Sequence, residues 1–311
     1  VNKLNIASLK DVLGDMTLTN LLIEELDLSQ INFNGNTLTL QCKQLNKIVG
    51  SETFNGSLFL LPKDCRLTEF TLEGISNIQG DFQCIDYFYV KEFVMPFIRV
   101  AGDMTIALNS GSVNTAAEIE FPKLQEIGGT LTLGTNRNAN NITFPLLKKI
   151  LGSCSVTTYK LKNDIEFTNL ESIGTDGADA QIKFEIEATN ILCPKLKTIN
   201  GKFDIATSSF MFDMEVDKVS YPNVESISEN LSITCPYSDF GSNGILSIDF
   251  SGLKSAKGIS ISGQGDVTDF SSFKYLFENN VLTGESQWSV KECGYNPTFQ
   301  EMKDGKYKLA E

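Results

Sequence analysis

The chain reads as a mostly-β protein, a parallel β-helix or solenoid of about nine irregular coils of 23–29 residues with capping segments at both ends. Three observations predict it. One segment pattern recurs along the chain, period-two apolar alternation flanks each copy, and extra residues fall between copies without disturbing them.

The recurring segment is FPKLQEIGGTLTL at Phe121. It returns as FPLLKKILGSCSV at 144, FTNLESIGTDG at 167, CPKLKTINGKFDI at 193, YPNVESISENLSI at 221 and FSGLKSAKGISIS at 250. The steps between these starts are 23, 23, 26, 28 and 29 residues. Fainter copies begin at Met95, at Leu40 and around Ile75–Gly80.

Each part of the pattern has a physical job. The segment after the glycine alternates, so Leu131 and Leu133 share one face and the threonines the other, as in a half-buried strand. Its equivalents are read as Cys154/Val156, Phe184/Ile186, Phe203/Ile205, Leu231/Ile233 and Ile259/Ile261. A second alternation precedes the aromatic: Ile119/Phe121, Ile142/Phe144, Ile165/Phe167, Val219/Tyr221 and Ile248/Phe250. The proline that follows lacks an N–H and ends that strand. Leu124 and Ile127 then turn inward across a tight corner too short for a helix. Glycine near 128, 152, 174 and 201 permits a sharp bend into the next strand. The Gly pair is therefore a corner. A phosphate-binding loop would need a following Lys-Ser/Thr and a helix.

The ends read as caps, which a solenoid needs to cover its open faces. LTNLLIEELDLS, from Leu18, is expected to form an amphipathic helix or a first irregular coil. DFSSFKYLFENN is expected to form a helix capped by Asp269 or Ser271, with Phe270, Phe273, Tyr275, Leu276 and Phe277 over the last coil. The tail QWSVKECGYNPTFQEMKDGKYK is expected to be ordered only in part. The division is a solenoid over residues 1–270 and a cap and tail over 271–311.

Composition excludes several functions. The net charge of −13 disfavours nucleic acid and anionic membranes as partners. There is no histidine, which removes the usual general base, the common nucleophile pairs and the commonest zinc ligand. No apolar run spans a bilayer. The opening VNKLNIASLKDVLGD lacks the plan of a signal peptide, as a mature secreted chain also would. The seven cysteines, Cys42, Cys65, Cys84, Cys154, Cys193, Cys235 and Cys293, form no C-x-x-C pair. Cys154 takes the place of Leu131 and Cys193 that of Phe121, so both read as buried hydrophobes. Cys42, Cys65 and Cys84 could include one disulfide. No cofactor, metal site or catalytic residue is read.

The L-x-x-I-x-G-x-L-x-I pattern of LQEIGGTLTL, LKTINGKFDI and VESISENLSI resembles the receptor L-domain type of repeat, a right-handed parallel β-helix related to leucine-rich repeats. It is also similar to the repeats of bacterial surface-anchored leucine-rich-repeat-like proteins. The tail CGYNPTFQEMKDGKY looks like C-terminal segments of secreted Bacteroidetes proteins. The resemblance spans about residues 38–262. The Asn ladder of the standard leucine-rich repeat is missing, and the cysteines do not form the disulfide framework of animal receptor domains. The family implies a non-catalytic surface, extracellular or at the cell surface and lipid-anchored in a full-length form, that binds a protein or a glycan.

Insertions point to where. TSSFMFDMEVDK (207–218) and PYSDFGSNG (236–244) follow equivalent strands, so they should emerge on one side. They bring Phe210, Met211, Phe212, Asp213, Met214, Tyr237, Asp239 and Phe240, aromatic and Met side chains beside carboxylates that could stack on a sugar or seat a peptide. A structural spacer is the alternative role. A polysaccharide-active enzyme is the third, and it needs a facing carboxylate pair. The outward carboxylates, such as Asp103, Glu166, Glu185 and Asp204, are scattered. Asn55, Asn141 and Asn230 head N-glycosylation sequons, relevant in a eukaryotic source.

Overall fold

The computed structural model describes residues 4, 6–61, 70–85, 92–109, 117–136, 139–159, 163–177, 179–186, 190–207, 218–235, 247–265 and 267–310. Strands from successive coils pair in parallel, giving a β-solenoid of about 8 turns. A long sheet of twelve strands runs from Met16–Thr19 at one end to Trp288–Cys293 at the other. At about 4.8 Å per strand it extends roughly 53 Å.

The alternating segments build this sheet. Leu131 pairs with Met104 and Cys154, and Leu133 with Ile106 and Val156. All six are at most 1% exposed, so equivalent positions form continuous apolar ladders. One part of the register differs from the sequence reading. Cys154 and Val156 pair with Ile182 and Phe184, which in turn pair with Phe203 and Ile205. Ile186 therefore lies one step beyond the ladder assigned to it. A two-residue slip keeps the same face inward. Ala180, Ile182, Phe184 and Ile186 are all buried on the strand Ala180–Ile186, so alternation could not detect it.

The aromatic-bearing strands form a second side. Its sheets hold three strands (Glu25–Asp27 to Thr71–Glu73), five (Glu92–Val94 to Ile191–Leu192) and two (Lys218–Ser220 and Ser247–Asp249). The corner between proline and glycine proves to be a third side. It is a sheet of eight two-residue strands from Thr53–Phe54 to Ser226–Ile227. Its inner ladder includes Ile127, Ile150, Ile173 and Ile199, each fully buried.

The corner glycines serve close approach more than bending. Of Gly128, Gly152, Gly174 and Gly201, only Gly174 has a positive φ, +80°. A Cβ on Gly128 would lie 2.1 Å from the Ala101 carbonyl oxygen, and one on Gly201 2.0 Å from that of Ala180. Corner polar groups also tie coil to coil. The N–H of Thr37 donates to Asp15 at 2.8 Å, that of Asp103 to Asp81 at 2.8 Å, and that of Thr130 to Asp103 at 2.7 Å. These side chains satisfy backbone donors at the exposed bends between coils.

The N-terminal end takes the second of its two expected forms, a first irregular coil, and the C-terminal end departs in part. LTNLLIEELDLS is not helical. It carries the end of strand Met16–Thr19 and the strand Glu25–Asp27, with Ile23, Leu26 and Leu28 buried, and so belongs to the first coil. At the other end a 3-10 turn, Ser271–Phe273, leads into helix α1, Lys274–Glu278. Asp269 accepts the Ser271 N–H at 2.7 Å. Phe270, Phe273, Leu276 and Phe277 are buried over the last coil, while Tyr275 is 43% exposed and points away from it. The tail is structured throughout residues 288–310. Trp288–Cys293 completes the long sheet, and helix α2, Phe299–Lys303, starts with a Thr298/Glu301 capping box and buries Phe299 and Met302. Among the described residues, no helix is long and apolar enough to cross a membrane.

Candidate functional site

The aromatic ladder is regular up to one point. Phe121, Phe144 and Phe167 stack with centroids 4.8 and 4.9 Å apart and planes 2° and 10° apart. The next coil puts Cys193 there, buried as predicted, and the one after puts Tyr221. A thiol is much smaller than a ring, so Tyr221 has space on its Cys193 side. Its ring packs at 5.5 Å from Phe203 and 5.7 Å from Phe250, tilted out of the stack. Its hydroxyl donates to the Ile191 carbonyl at 3.0 Å, fully buried.

That contact marks a break in the sheet. The five-strand sheet ends at Ile191–Leu192, and the next coil's strand, Lys218–Ser220, starts a new sheet with Ser247–Asp249. In the unbroken part, each aromatic N–H donates to the following coil: Phe144 to Glu166 at 3.1 Å and Phe167 to Leu192 at 2.9 Å. At the break the Tyr221 hydroxyl occupies an acceptor on the sheet edge. A cleft of about 130 Å³ opens between the two edges, lined by Ile191 and Leu192 on one side and Val219, Ser220 and Tyr221 on the other. Leu192 is 38% exposed at the rim. Lys218 also lines the cleft and lies 3.8 Å from Asp249.

Desolvation pushes the Tyr221 phenol well above its ordinary pKa, with smaller contributions from Cys193 and Cys154. The group is therefore a neutral hydrogen-bond donor here. The volume is below the roughly 300–1,000 Å³ of pockets for whole small molecules, and suits a single apolar side chain.

The break lies at the root of the 207–218 insertion. The residues predicted to bind, Phe210, Met211, Phe212, Asp213, Met214, Tyr237, Asp239 and Phe240, lie outside the described residues. So does Cys65, while Cys42 and Cys84 are free thiols. Three of the outward carboxylates, Asp103, Asp204 and Glu185, are engaged separately. Asp103 holds the Thr130 N–H. Asp204 pairs with Lys202 at 2.9 Å. Glu185 is lowered in pKa first by the Lys183 hydrogen bond and also bonds Thr157 at 2.9 Å. Among the described residues, no three His, Cys, Asp or Glu side chains group to hold a metal ion. Sequence reasoning missed the break, although Cys at 193 and Tyr at 221, in a column that otherwise reads Met95, Phe121, Phe144, Phe167 and Phe250, are its signal. Compared with protein families, with characterised proteins and with solved structures, the chain matches none.

Proposed function

We propose that the chain is a non-catalytic binding scaffold, secreted or held at a cell surface, that recognises an extracellular protein or glycan through the interrupted side of its C-terminal half. The break between Ile191–Leu192 and Lys218–Ser220 carries this reading, because a cleft opens there beside the insertions; the same side is also interrupted between Thr71–Glu73 and Glu92–Val94. The cleft's size favours an apolar side chain of a protein partner over a sugar ring. Kinship with receptor L-domain and leucine-rich-repeat-like adhesion proteins is part of the same proposal, supported by the repeat pattern and the parallel coils.

The test is binding to a panel of extracellular-matrix proteins and glycans, with the double variant Leu192→Glu, Lys218→Glu alongside. Both side chains reach solvent, so the variant is expected to fold, with loss of the Lys218–Asp249 contact lowering the melting temperature by no more than a few degrees, and to bind at least about tenfold more weakly. Binding that the variant leaves intact would place recognition elsewhere. No binding by either protein would favour a second reading, a rigid spacer, which the unbroken twelve-strand sheet suits.

A further inference from the structure

We propose that the C-terminal edge of the long sheet is a peptide-binding slot, where an extended segment carrying a basic residue adds as a further strand. The slot is separate from the break described above.

Trp288–Cys293 is the last strand of the sheet and is paired on one side only, Trp288 with Ile259, Ser289 with Ser260 and Val290 with Ile261. Throughout this sheet the N–H of an inward-facing residue donates to the following coil. Phe82 donates to Asp103 at 2.8 Å, Met104 to Thr130 at 2.8 Å and Leu131 to Ser153 at 3.0 Å. By the same alternation Val290 turns its N–H and carbonyl, and Trp288 its carbonyl, to the open side. The Trp288 N–H is held by the Glu285 carbonyl. Glu292, at φ +57°, then turns the chain, so the free edge is short.

A cleft of about 500 Å³ lies between Trp288–Val290 and Asn296–Gln300. Its far wall is held in place from within. The Trp288 indole N–H donates to the Pro297 carbonyl at 2.8 Å. Asn296 accepts the Cys293 N–H at 3.0 Å and donates to its carbonyl at 2.8 Å. Thr298 and Glu301 form the capping box of α2. Along the edge, at about 3.3 Å per residue, roughly three extended residues fit.

Two features choose the occupant. Unpaired main-chain groups on a sheet edge are met by another main chain. The rings beneath, Trp288 at 5% and Phe299 at 8% exposure, offer no open face for a sugar to stack on. Glu285 is the ionisable side chain among the described lining residues, and the chain carries −13 overall, so the complementary segment is basic.

Trp288 is the chain's one tryptophan, so its emission reports on this cleft. The probe is a pool of hexapeptides alternating Val, Ile, Thr and Ser with a terminal Lys. The controls are the same pool with N-methylated backbone amides, an acidic pool ending in Glu, and cellohexaose and xylohexaose. A saturable emission change with the basic pool, at least tenfold weaker after N-methylation, is expected. The exposed variant Glu285→Lys is expected to invert the preference between basic and acidic pools. No saturable change at millimolar basic pool overturns the proposal. So does equal binding after N-methylation, or binding of a sugar in place of the peptides.

Discussion

Gly152 donates its N–H to the Gly129 carbonyl at 2.9 Å, and a Cβ on Gly152 would lie 2.6 Å from the Gly129 carbonyl carbon. Gly129 stands in the same hydrogen bond to Gly102, and Gly102 to Gly80, at 2.9 and 3.0 Å. This glycine column lets one coil's backbone rest on the next. Gly152→Ala is expected to destabilise by about 1–3 kcal/mol, since the obstacle is backbone and cannot rotate away. Gly134→Ala is the control. Nothing lies within 4 Å of a Cβ there, so the change is expected to stay within about 0.5 kcal/mol. Urea unfolding of both variants checks it, and equal losses would mean the column is not close-packed.

The stacked rings give the second prediction. Phe144 lies between Phe121 and Phe167 and is fully buried. Phe144→Ala is expected to cost about 3–5 kcal/mol through the cavity and the lost transfer energy. Phe144→Leu keeps most of the volume and should cost clearly less, the remainder including the ring contacts at about 0.5–1.5 kcal/mol. Equilibrium unfolding of the pair measures that difference. Similar losses would remove any special weight from the stack.

The repeat made most of this fold legible, and the reasons are local. Leu131 and Leu133 alternate with threonines, so their strand and its inward face follow from period two. The corner strand at Glu126–Ile127 did not follow, because two residues carry no period. The register at Phe184/Ile186 failed because period two is blind to a shift of two. Gly152 was read as a bend, when its role is set by Gly129 one coil away and nothing near it in sequence. The break at Tyr221 depends on Cys193, 28 residues earlier, and shows only when the coils are stacked.

Tyr221 itself supplies the third prediction. Its hydroxyl meets the Ile191 carbonyl in a buried site. Tyr221→Phe keeps the ring and leaves that carbonyl unmatched, which is expected to cost about 1–3 kcal/mol. The loss should be local. Hydrogen exchange is expected to speed up in Ile191–Leu192 and Lys218–Ser220 and to stay unchanged at Leu131–Leu133. A neutral substitution would show that the carbonyl has another donor when the hydroxyl is absent.

Alkaline pH tests the buried ladder as a whole. Burial pushes the Cys154 thiol up to about 12 and raises Cys84 and Cys193 well above the usual value, with Cys154 adding to the shift at Cys193. In the unfolded chain such thiols ionise near pH 8.5. A pKa raised by folding gives stability that is fully present below the unfolded value and lost as pH rises toward the folded one. The folded state holds its protons while the unfolded chain releases them, so stability falls by up to about 1.4 kcal/mol per pH unit for each such group. Between about pH 6 and 8 these thiols are expected to leave the urea midpoint unchanged, and above about pH 9 it should fall steeply. Cys154→Ala lowers stability near neutral pH, but its diagnostic effect is on the slope, which should become shallower above pH 9 so that the two stability curves converge. An identical slope in the variant would mean that Cys154 ionises as readily in the folded protein as in the unfolded chain, and that the ladder admits water at that position.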